Sequence, residues 1–263
     1  MPRCLLRNTS SPFAVEGLER APDRLCAVSE LVYPPVVAAA STAFKALGLK
    51  LRVEGGEHVP TSGSAVMASN HVSHLDFIFV GLGARESRRY VRFMAKEPIF
   101  AHWLAGPLMR GMHHISVDRE AGMQSFRDAL AALKAGEVVG LFPEATISRP
   151  FEPKEFKTGA ERLAKATKSP LIPVGVWGSQ RLWTYDEHSS LKQRGVPVSV
   201  YVGEPIEPAL TGDAAATELR VQVVALVRRA QDEYPDDGTG QWWQPVRLGG
   251  TAPAVPAQEE PTL

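Results

Sequence analysis

The stretch SAVMASNHVSHLDFIFVG, residues 64–81, joins a strand pattern to a helix pattern through a short polar segment. Residues 64–69 are mostly apolar, as expected of a strand that is buried on both faces of a sheet. Ser73 and Asp76 have the S-x-x-D spacing of a helix cap, and the apolar run FIFVGL follows them. The stretch therefore predicts one strand–turn–helix unit, in which the helix starts near His74.

The same alternation of strand and helix patterns continues over most of the chain. The predicted strands are residues 49–55, 64–69, 90–95, 113–117, 137–142, 170–177 and 197–203. The predicted helices are residues 74–83, 99–109, 121–135, 156–167 and 213–233. Such alternation is typical of a mostly parallel sheet that is covered by helices. The sequence thus predicts an α/β fold with a single domain.

Composition divides the chain into four parts. Residues 1–25 are polar and lack a clear periodicity, so we expect a flexible lead-in. Residues 26–48 contain an apolar run that is interrupted by prolines and is shorter than the roughly 20 residues needed to span a bilayer. We expect a helix that lies at a membrane interface; the alternative is a helix that packs on the core. Residues 49–235 form the predicted α/β domain, and residues 236–263 are expected to be a largely disordered tail.

Charge and cysteine content limit the classes of function. The chain has 29 basic and 29 acidic residues, so its zero net charge does not indicate nucleic-acid binding. Residues 85–119 carry a local surplus of arginine and lysine, which is either a solvated surface or a patch for phosphate or anionic lipid. Cys4 and Cys26 offer neither a disulfide framework nor a CxxC metal pair, which fits a reducing compartment.

His71 and Asp76 form a candidate general base with its orienting carboxylate. In an ideal helix, residues five positions apart lie about 140° from each other, so the two can meet only if His71 belongs to the turn. A carboxylate on one imidazole nitrogen fixes the tautomer and leaves the other nitrogen free to take a proton. The sequence has no G-x-S-x-G elbow and no suitably placed cysteine, which favours a hydroxyl of the substrate as the nucleophile.

Two other interpretations of this stretch stay open. His71, His74 and Asp76 could bind a metal, as in a hydrolase of lipid or phosphate esters. However, HVSHLD lacks the H-E-x-x-H arrangement, and no further ligand cluster is evident apart from His113 and His114. The stretch could also be a capped helix whose histidines are incidental.

Further polar blocks follow other predicted strands. GMHHISVDR, residues 111–119, ends in Arg119, whose guanidinium can bind phosphate oxygens in a forked geometry. LFPEATISRP, residues 141–150, places Glu144, Thr146 and Arg149 in a loop that could present a carboxylate and backbone N–H groups to a polyhydroxyl or phosphate ligand.

In this order, four blocks resemble the phospholipid/glycerol acyltransferase family of the PlsC-like, 1-acyl-sn-glycerol-3-phosphate acyltransferase type. The first block, NHVSHLD, is similar to the family's N-H-x4-D, and the second, GMHHISVDR, to its arginine-ending block. The third block, FPEATIS, resembles F-P-E-G-T-R-S, and the fourth, LIPVGV, resembles V-I-P-V. The resemblance spans roughly residues 50–205 and implies that residues 49–235 form an acyltransferase domain.

The resemblance implies a role for each matching residue. His71 would deprotonate an acceptor hydroxyl, and Asp76 would orient the imidazole and balance its charge. Arg119 would hold the phosphate of the acceptor, while Glu144 and Thr146 would shape the acceptor pocket. Basic residues that the family often shows near the head group correspond to Lys96 and Lys157.

The resemblance also implies substrates and a location. The expected reaction moves a fatty acyl group from acyl-CoA or acyl-carrier protein to a lysophospholipid, most simply 1-acylglycerol-3-phosphate, in phospholipid biosynthesis. These thioesters are co-substrates, and neither a cofactor nor a metal is expected. The expected partners are the lysophospholipid and the membrane surface, with no nucleic acid. The expected location is the cytoplasmic face of a membrane, where the protein would be peripheral or monotopic.

The third block departs from the family at two positions. Ala145 replaces a glycine and Ile147 replaces an arginine. Arg149 could substitute for the missing arginine, because residues two apart in an extended loop point the same way. These changes leave other lysophospholipids, a glycolipid hydroxyl, or a non-catalytic lipid-binding scaffold as alternatives.

Overall fold

Seven strands make up one sheet within residues 30–118, 122–206 and 213–254, the parts of the chain that this computed structural model describes. They are β1 (Lys50–Glu54), β2 (Ala65–Ser69), β3 (Val91–Lys96), β4 (Ile115–Val117), β5 (Val138–Leu141), β6 (Leu171–Trp177) and β7 (Pro197–Val202). Each lies within a run predicted as a strand or extends one residue beyond it. All seven predicted strands are therefore present.

The strand order is β1-β7-β6-β2-β5-β3-β4, and every neighbouring pair is parallel except β6 and β7. Strand β2 lies between β6 and β5, and all five of its residues are buried. A strand in this position has helices over both faces, which explains why AVMAS does not alternate between apolar and polar residues. The predicted α/β fold with a mostly parallel sheet is confirmed.

Seven α-helices lie in the described residues. They are α1 (Tyr33–Ala46), α2 (Asp76–Gly83), α3 (Glu97–Ala101), α4 (Ala105–Gly111), α5 (Gly122–Lys134), α6 (Gly159–Thr167) and α7 (Asp213–Asp232). The single helix predicted at residues 99–109 is two helices, α3 and α4. Nδ1 of His102 accepts the backbone N–H groups of Leu104 and Ala105 at 3.3 and 3.2 Å, so this side chain satisfies the first donors of α4 and separates it from α3.

The core has two halves, one on each face of the sheet. On one face, α5, α6 and α7 pack through residues such as Leu133, Leu163 and Leu219. On the other face, α2 packs through Phe79 and Val80. The strands that precede the polar blocks are therefore held between two packed layers.

Helix α1 packs at the β3–β4 side of the sheet. Tyr33 is buried with Phe100 of α3, Met109 of α4 and Met112, and its hydroxyl donates to the carbonyl of Val91 at 3.0 Å. The predicted helix in residues 26–48 is thus present as Tyr33–Ala46. Near its other end, Phe44 stacks on Phe79 of α2 with ring centres 4.9 Å apart, so both ends of the helix rest on the core. None of the described helices is long and apolar enough to cross a membrane.

The segment at residues 236–254 packs against the domain. Trp243 is buried, and the guanidinium of Arg181 lies 4.7 Å from the centre of its indole ring. Nε2 of Gln180 donates to the carbonyl of Trp243 at 3.2 Å. The prediction of a largely disordered tail from residue 236 is wrong for these residues, because burial of the indole favours order. Residues 255–263 and the predicted lead-in at residues 1–25 lie outside the described residues.

Candidate active site

Three neighbouring parallel strands bring the polar blocks together. The first block follows β2, the third block follows β5, and residues 178–185 follow β6. Because β6, β2 and β5 are adjacent and parallel, their carboxyl ends lie along the same edge of the sheet. Open α/β sheets place their ligand sites at this edge.

Asn70 joins the first block to β6. Its Nδ2 donates to the carbonyl of Val176 at 2.9 Å, and its Oδ1 accepts the N–H of Val176 at 2.8 Å. The buried side-chain amide thus takes the place of a backbone peptide group in the sheet. Strand β2 therefore ends here, while the next residue, His71, stays close to the end of β6.

Asp76 accepts hydrogen bonds at both carboxylate oxygens. Oδ2 accepts the backbone N–H groups of Val72 and Ser73 at 2.7 and 2.8 Å, and it lies 3.0 Å from Nδ1 of His71. Oδ1 accepts the hydroxyl of Ser179 at 2.6 Å. The side chain is fully buried. These donors compensate the cost of removing the carboxylate from water.

His71 lies in the turn before α2, where the five-residue spacing required it to be. If Nδ1 carries the proton that is donated to Asp76, Nε2 keeps a free lone pair. The imidazole stacks on Phe142 with ring centres 4.2 Å apart, and 19% of the side chain remains exposed. In the described parts of the chain, no hydroxyl or thiol is hydrogen-bonded to Nε2. A hydroxyl that gives its proton to Nε2 would therefore come from a bound molecule.

Helix α2 begins at Asp76, two residues later than the sequence predicts. The Asp76 carboxylate accepts the N–H of Ser73, which is one of the two hydrogen bonds of a capping box. The Ser73 hydroxyl accepts the N–H of Leu75 at 3.1 Å and donates to the carbonyl of Trp183 at 2.7 Å, and that carbonyl also accepts the N–H of His74. Ser73 therefore ties the turn to the segment after β6.

Glu144 supports the first block from the end of β5. Its Oε1 accepts the N–H of His71 at 2.9 Å, whereas its buried Oε2 has no hydrogen-bond partner among the described residues. Burial raises the pKa of Glu144 to about 8, against the opposing effects of the backbone N–H of His71 and of the positive charge of Lys154. The carboxyl group is thus mostly protonated at neutral pH and is 5% exposed, beneath the backbone of His71.

Ala145 has a φ of +60°, in the left-handed region where glycine is unstrained. Its N–H donates to the carbonyl of Phe142 at 3.0 Å, which closes a tight turn after β5. An L-residue in this conformation costs about 1–2 kcal/mol relative to the right-handed region. The turn after β5 therefore has a conformation that a glycine would adopt without strain, and with alanine it comes at some cost in stability.

The side chains of Ile147 and Arg149 do not share an environment. Ile147 is buried, whereas Arg149 is exposed and its guanidinium lies 5.8 Å from the ring centre of Tyr185. The two side chains thus differ in burial, and the substitution of Arg149 for an arginine at 147 stays a prediction. Thr146 is exposed, and its hydroxyl accepts a hydrogen bond from the ammonium of Lys154.

Of the remaining predicted cations, Lys96 and Lys157 lie in the described part of the chain. Lys96 is exposed at the end of β3, close enough to His74 for its charge to contribute to lowering the pKa of that imidazole. Lys157 is exposed, and its backbone N–H donates to the carbonyl of Pro143 at 3.0 Å. Arg119 lies outside the described residues, two positions beyond the last residue of β4.

The histidines that suggested a metal do not converge on one point. Within residues 30–118, 122–206 and 213–254, no three His, Cys, Asp or Glu side chains form a possible ligand set. His74 lies against Trp183 and Tyr185, with ring centres 5.1 and 4.9 Å away. Burial, followed by the nearby charge of His71, lowers its pKa. His114 is buried, its Nδ1 accepts the N–H of Phe93, and burial lowers its pKa to about 3.

Sequence reasoning missed three parts of this site. Ser179 contacts Asp76, Lys154 contacts Thr146, and the exposed rings of Trp183 and Tyr185 flank His74. None of them belongs to one of the four blocks. A Gly-Ser pair directly after a buried strand was the one available signal for Ser179.

Comparisons with known proteins agree with this arrangement. A family model described as Acyltransferase matches residues 50–177, which include all four blocks. A 1-acyl-sn-glycerol-3-phosphate acyltransferase of Bacillus subtilis is 30% identical over 160 residues, which cover 60% of this chain and 75% of that protein. The enzyme of the same name from Limnanthes douglasii is 31% identical over 163 residues, 60% of this chain. The match spans 55% of that plant protein, about half its length.

The fold is also that of a solved structure. The crystal structure of the 1-acyl-sn-glycerophosphate acyltransferase PlsC from Thermotoga maritima matches with a TM-score of 0.66 and 22% sequence identity. The match covers 77% of this chain and 81% of that chain. The two proteins therefore have the same fold.

The raised pKa of Glu144 gives a pH dependence of stability. The folded protein keeps this proton up to about pH 8, whereas the unfolded chain releases it near the ordinary value of 4.5, so stability falls as the pH rises between the two. Glu144→Gln keeps an oxygen for the N–H of His71 and does not titrate. We expect the melting temperature of the wild type to drop by about 5 °C more than that of the variant between pH 5 and pH 8.

Circular dichroism melts of both proteins across this range measure the difference. Glu57→Gln is the matched control, because Glu57 is an exposed glutamate. Parallel curves for the wild type and Glu144→Gln would show that the Glu144 carboxyl group is ionised in the folded protein at pH 7.

Proposed function

The chain belongs to the acyltransferase family, and from this premise we propose that it acylates 1-acylglycerol-3-phosphate to phosphatidate in phospholipid biosynthesis. The relatives from Bacillus subtilis and Limnanthes douglasii carry the name of this activity. The observation that carries the proposal is the pair of His71 and Asp76, in which Nδ1 lies 3.0 Å from a buried carboxylate. We assign the base to His71 and its orientation to Asp76.

The proposed reaction has one chemical step at the acyl carbon and no acyl-enzyme. Nε2 of His71 takes the proton from the acceptor hydroxyl as its oxygen attacks the thioester carbonyl carbon. A carbon–oxygen bond forms and the carbon–sulfur bond breaks. The imidazolium then returns the proton to the departing thiolate, so that a thiol is released and His71 is neutral again. The absence of a hydroxyl or thiol on Nε2 in the described residues supports attack by the substrate itself.

For the acceptor we propose a lysophospholipid whose phosphate is held by cations around the site. Arg119 follows β4, Lys96 ends β3, and Arg149 and Lys157 lie exposed in and after the third block. The buried Ile147 supplies no charge, so recognition of phosphate rests on these peripheral cations. Thr146 shapes the pocket beside them. The hydroxyl of another lysophospholipid or of a glycolipid could give its proton to the same base. Turnover rates compared across acceptors with different head groups distinguish these alternatives.

For the donor we propose an acyl thioester of CoA or of acyl-carrier protein. Both present the same activated carbonyl to His71 and differ in what lies beyond the sulfur. Turnover of oleoyl-CoA compared with oleoyl-acyl-carrier protein identifies the carrier, and turnover of neither would contradict a thioester donor.

We propose further that the protein works at a membrane surface, on its cytoplasmic face. Ile99, Trp103, Leu104 and Leu108 are exposed on and between α3 and α4, and α1 packs against these two helices. An amphiphilic acceptor resides in a bilayer, so apolar side chains at this position would bring the site to its substrate.

Loss of the base should remove turnover without unfolding the protein. We expect His71→Ala and Asp76→Asn each to lower kcat roughly 10²- to 10⁴-fold, because general-base catalysis contributes about this much. Transfer of labelled oleate from CoA to lysophosphatidate measures it, and circular dichroism checks the fold. His188→Ala changes an exposed histidine and is the control. Unchanged turnover in either variant would contradict the assignment of the base.

Loss of a peripheral cation should instead weaken acceptor binding. We expect Arg119→Ala and Arg149→Ala to raise the KM for lysophosphatidate about tenfold, with a smaller effect on kcat. The KM for monoacylglycerol, which lacks the phosphate, should not change. Arg162→Ala removes an exposed arginine of α6 and serves as the control. An equal loss with both acceptors would show that these residues do not recognise phosphate.

Membrane contact should depend on the apolar surface of α3 and α4. We expect the double variant Trp103→Ser/Leu104→Ser to co-sediment several-fold less with vesicles of phosphatidylcholine and phosphatidylglycerol. Val221→Ser, which changes an exposed apolar residue of α7, should bind like the wild type. Equal sedimentation of all three proteins would place the contact elsewhere.

A further inference from the structure

Ser179 makes a buried contact with Asp76 from a distant part of the sequence. Its hydroxyl donates to Oδ1 of Asp76 at 2.6 Å, and both side chains are fully buried. The other donors to this carboxylate act on Oδ2 and come from residues 71–73, next to it in the chain. Among the described residues, Ser179 is therefore the one hydrogen-bond donor recorded for Oδ1.

The sheet dictates this contact. Strand β6 pairs with β2, so the residue that follows β6 emerges beside the block that follows β2. Gly178 turns the chain there with a φ of +94°, and a Cβ at this position would lie 2.2 Å from the carbonyl oxygen of Pro197. A glycine is thus required immediately before Ser179. The strand register and this turn together direct the hydroxyl at Asp76.

The segment that carries Ser179 is held from its other side. Gln180 accepts the N–H of Gly178 at 2.9 Å and donates to the carbonyl of Trp243. Arg181 donates to Asp236 at 2.5 Å and lies over the indole of Trp243. These contacts fix the backbone next to the serine, so its hydroxyl has little freedom to leave Asp76.

The hydrogen bond controls how the carboxylate faces the imidazole. Rotation of the Asp76 carboxylate about its Cβ–Cγ bond would move Oδ2 away from Nδ1 of His71. A donor fixed on Oδ1 opposes this rotation, because a buried oxygen without a partner is unfavourable. Loss of the donor would leave the tautomer and the direction of the His71 ring less well defined.

We propose that Ser179 is a positioning residue for acyl transfer, which orients the Asp76 carboxylate and through it the base His71. This inference rests on the proposed function, since it concerns the same proton transfer. Ser179 lies two residues beyond the region that matches the family model and outside the four blocks. It does not touch His71 in the described hydrogen-bond network, so it acts through Asp76.

The first experiment compares Ser179→Ala with Ser169→Ala. Ser169 is equally buried, and its hydroxyl bonds to Ser64 and Thr167 before the other end of β6. We expect Ser179→Ala to lower kcat about tenfold or more and to leave the KM for lysophosphatidate and for oleoyl-CoA within about twofold. Ser169→Ala should keep the kcat of the wild type. An unchanged kcat in a folded Ser179→Ala protein overturns the proposal.

A double-mutant cycle tests whether the effect passes through Asp76. In the Asp76→Asn background, Ser179→Ala should cause no further loss of kcat, because the carboxylate that it orients is absent. The same proportional loss in both backgrounds overturns the proposal and indicates a general structural role. If Ser179→Ala does not fold, Ser179→Cys replaces it, since a thiol fills a similar volume and is a weak donor. Wild-type kcat in a folded Ser179→Cys protein counts against the proposal.

A readout without turnover separates this proposal from the proposed function. Nitrogen-15 NMR of the His71 ring reports which nitrogen carries the proton. We expect one tautomer with Nδ1 protonated in the wild type and in Ser169→Ala, and a mixture in Ser179→Ala. A single tautomer in all three proteins contradicts the positioning role, even if acyl transfer is confirmed. Unchanged turnover in His71→Ala contradicts the proposed base, whatever the NMR result for Ser179→Ala.

Discussion

The buried carboxylate of Asp76 is the constraint on which the site depends. A carboxylate without exposed surface is stable only if donors surround it, and here they come from the backbone of the first block, the His71 ring and the Ser179 hydroxyl. To gather these donors, the turn before α2 has to curl over Asp76, and the end of β6 has to lie beside the end of β2. The order of the central strands is therefore also a condition for the contact between Asp76 and the His71 ring.

The second buried carboxyl group, that of Glu144, lies in a different environment and contacts the backbone of His71 instead of its ring. Glu144 accepts one backbone N–H, from His71, and its other oxygen lacks a partner in the described residues, so burial raises its pKa to about 8. A mostly neutral carboxyl group close to Asp76 adds little like-charge repulsion to the site. Asp76 contacts the ring of His71 and Glu144 accepts its backbone N–H, so both the side chain and the backbone of His71 are held in place.

Sequence patterns predicted what depends on local periodicity and on short motifs. The seven strands were predicted because buried strands leave long apolar runs, and the contact of His71 with Asp76 followed from the helix cap between them. The break at His102 was missed because a single ring nitrogen that accepts two N–H groups leaves no pattern. Ser179 was missed because its contact with Asp76 spans 103 positions and exists only through the pairing of β6 with β2. The order of residues 236–254 was missed because their composition does not reveal the pocket for Trp243 beside Arg181.

The two departures in the third block have separate physical consequences. Ala145 has a left-handed conformation, which glycine would adopt without strain, so an alanine at this position adds strain to the turn. Ile147 is buried, and an arginine at this position would need a charged partner to offset its desolvation. The isoleucine removes that requirement and leaves Lys96, Arg149 and Lys157 as exposed cations. Two charges 4 Å apart in water attract by only about 1 kcal/mol, so no single one of these side chains can hold a head group tightly. On the proposed function, affinity for a phosphate-bearing acceptor therefore arises from several weak charges together with the membrane that presents the acceptor, which makes the third block a place where head-group preference can change without disturbing His71 and Asp76.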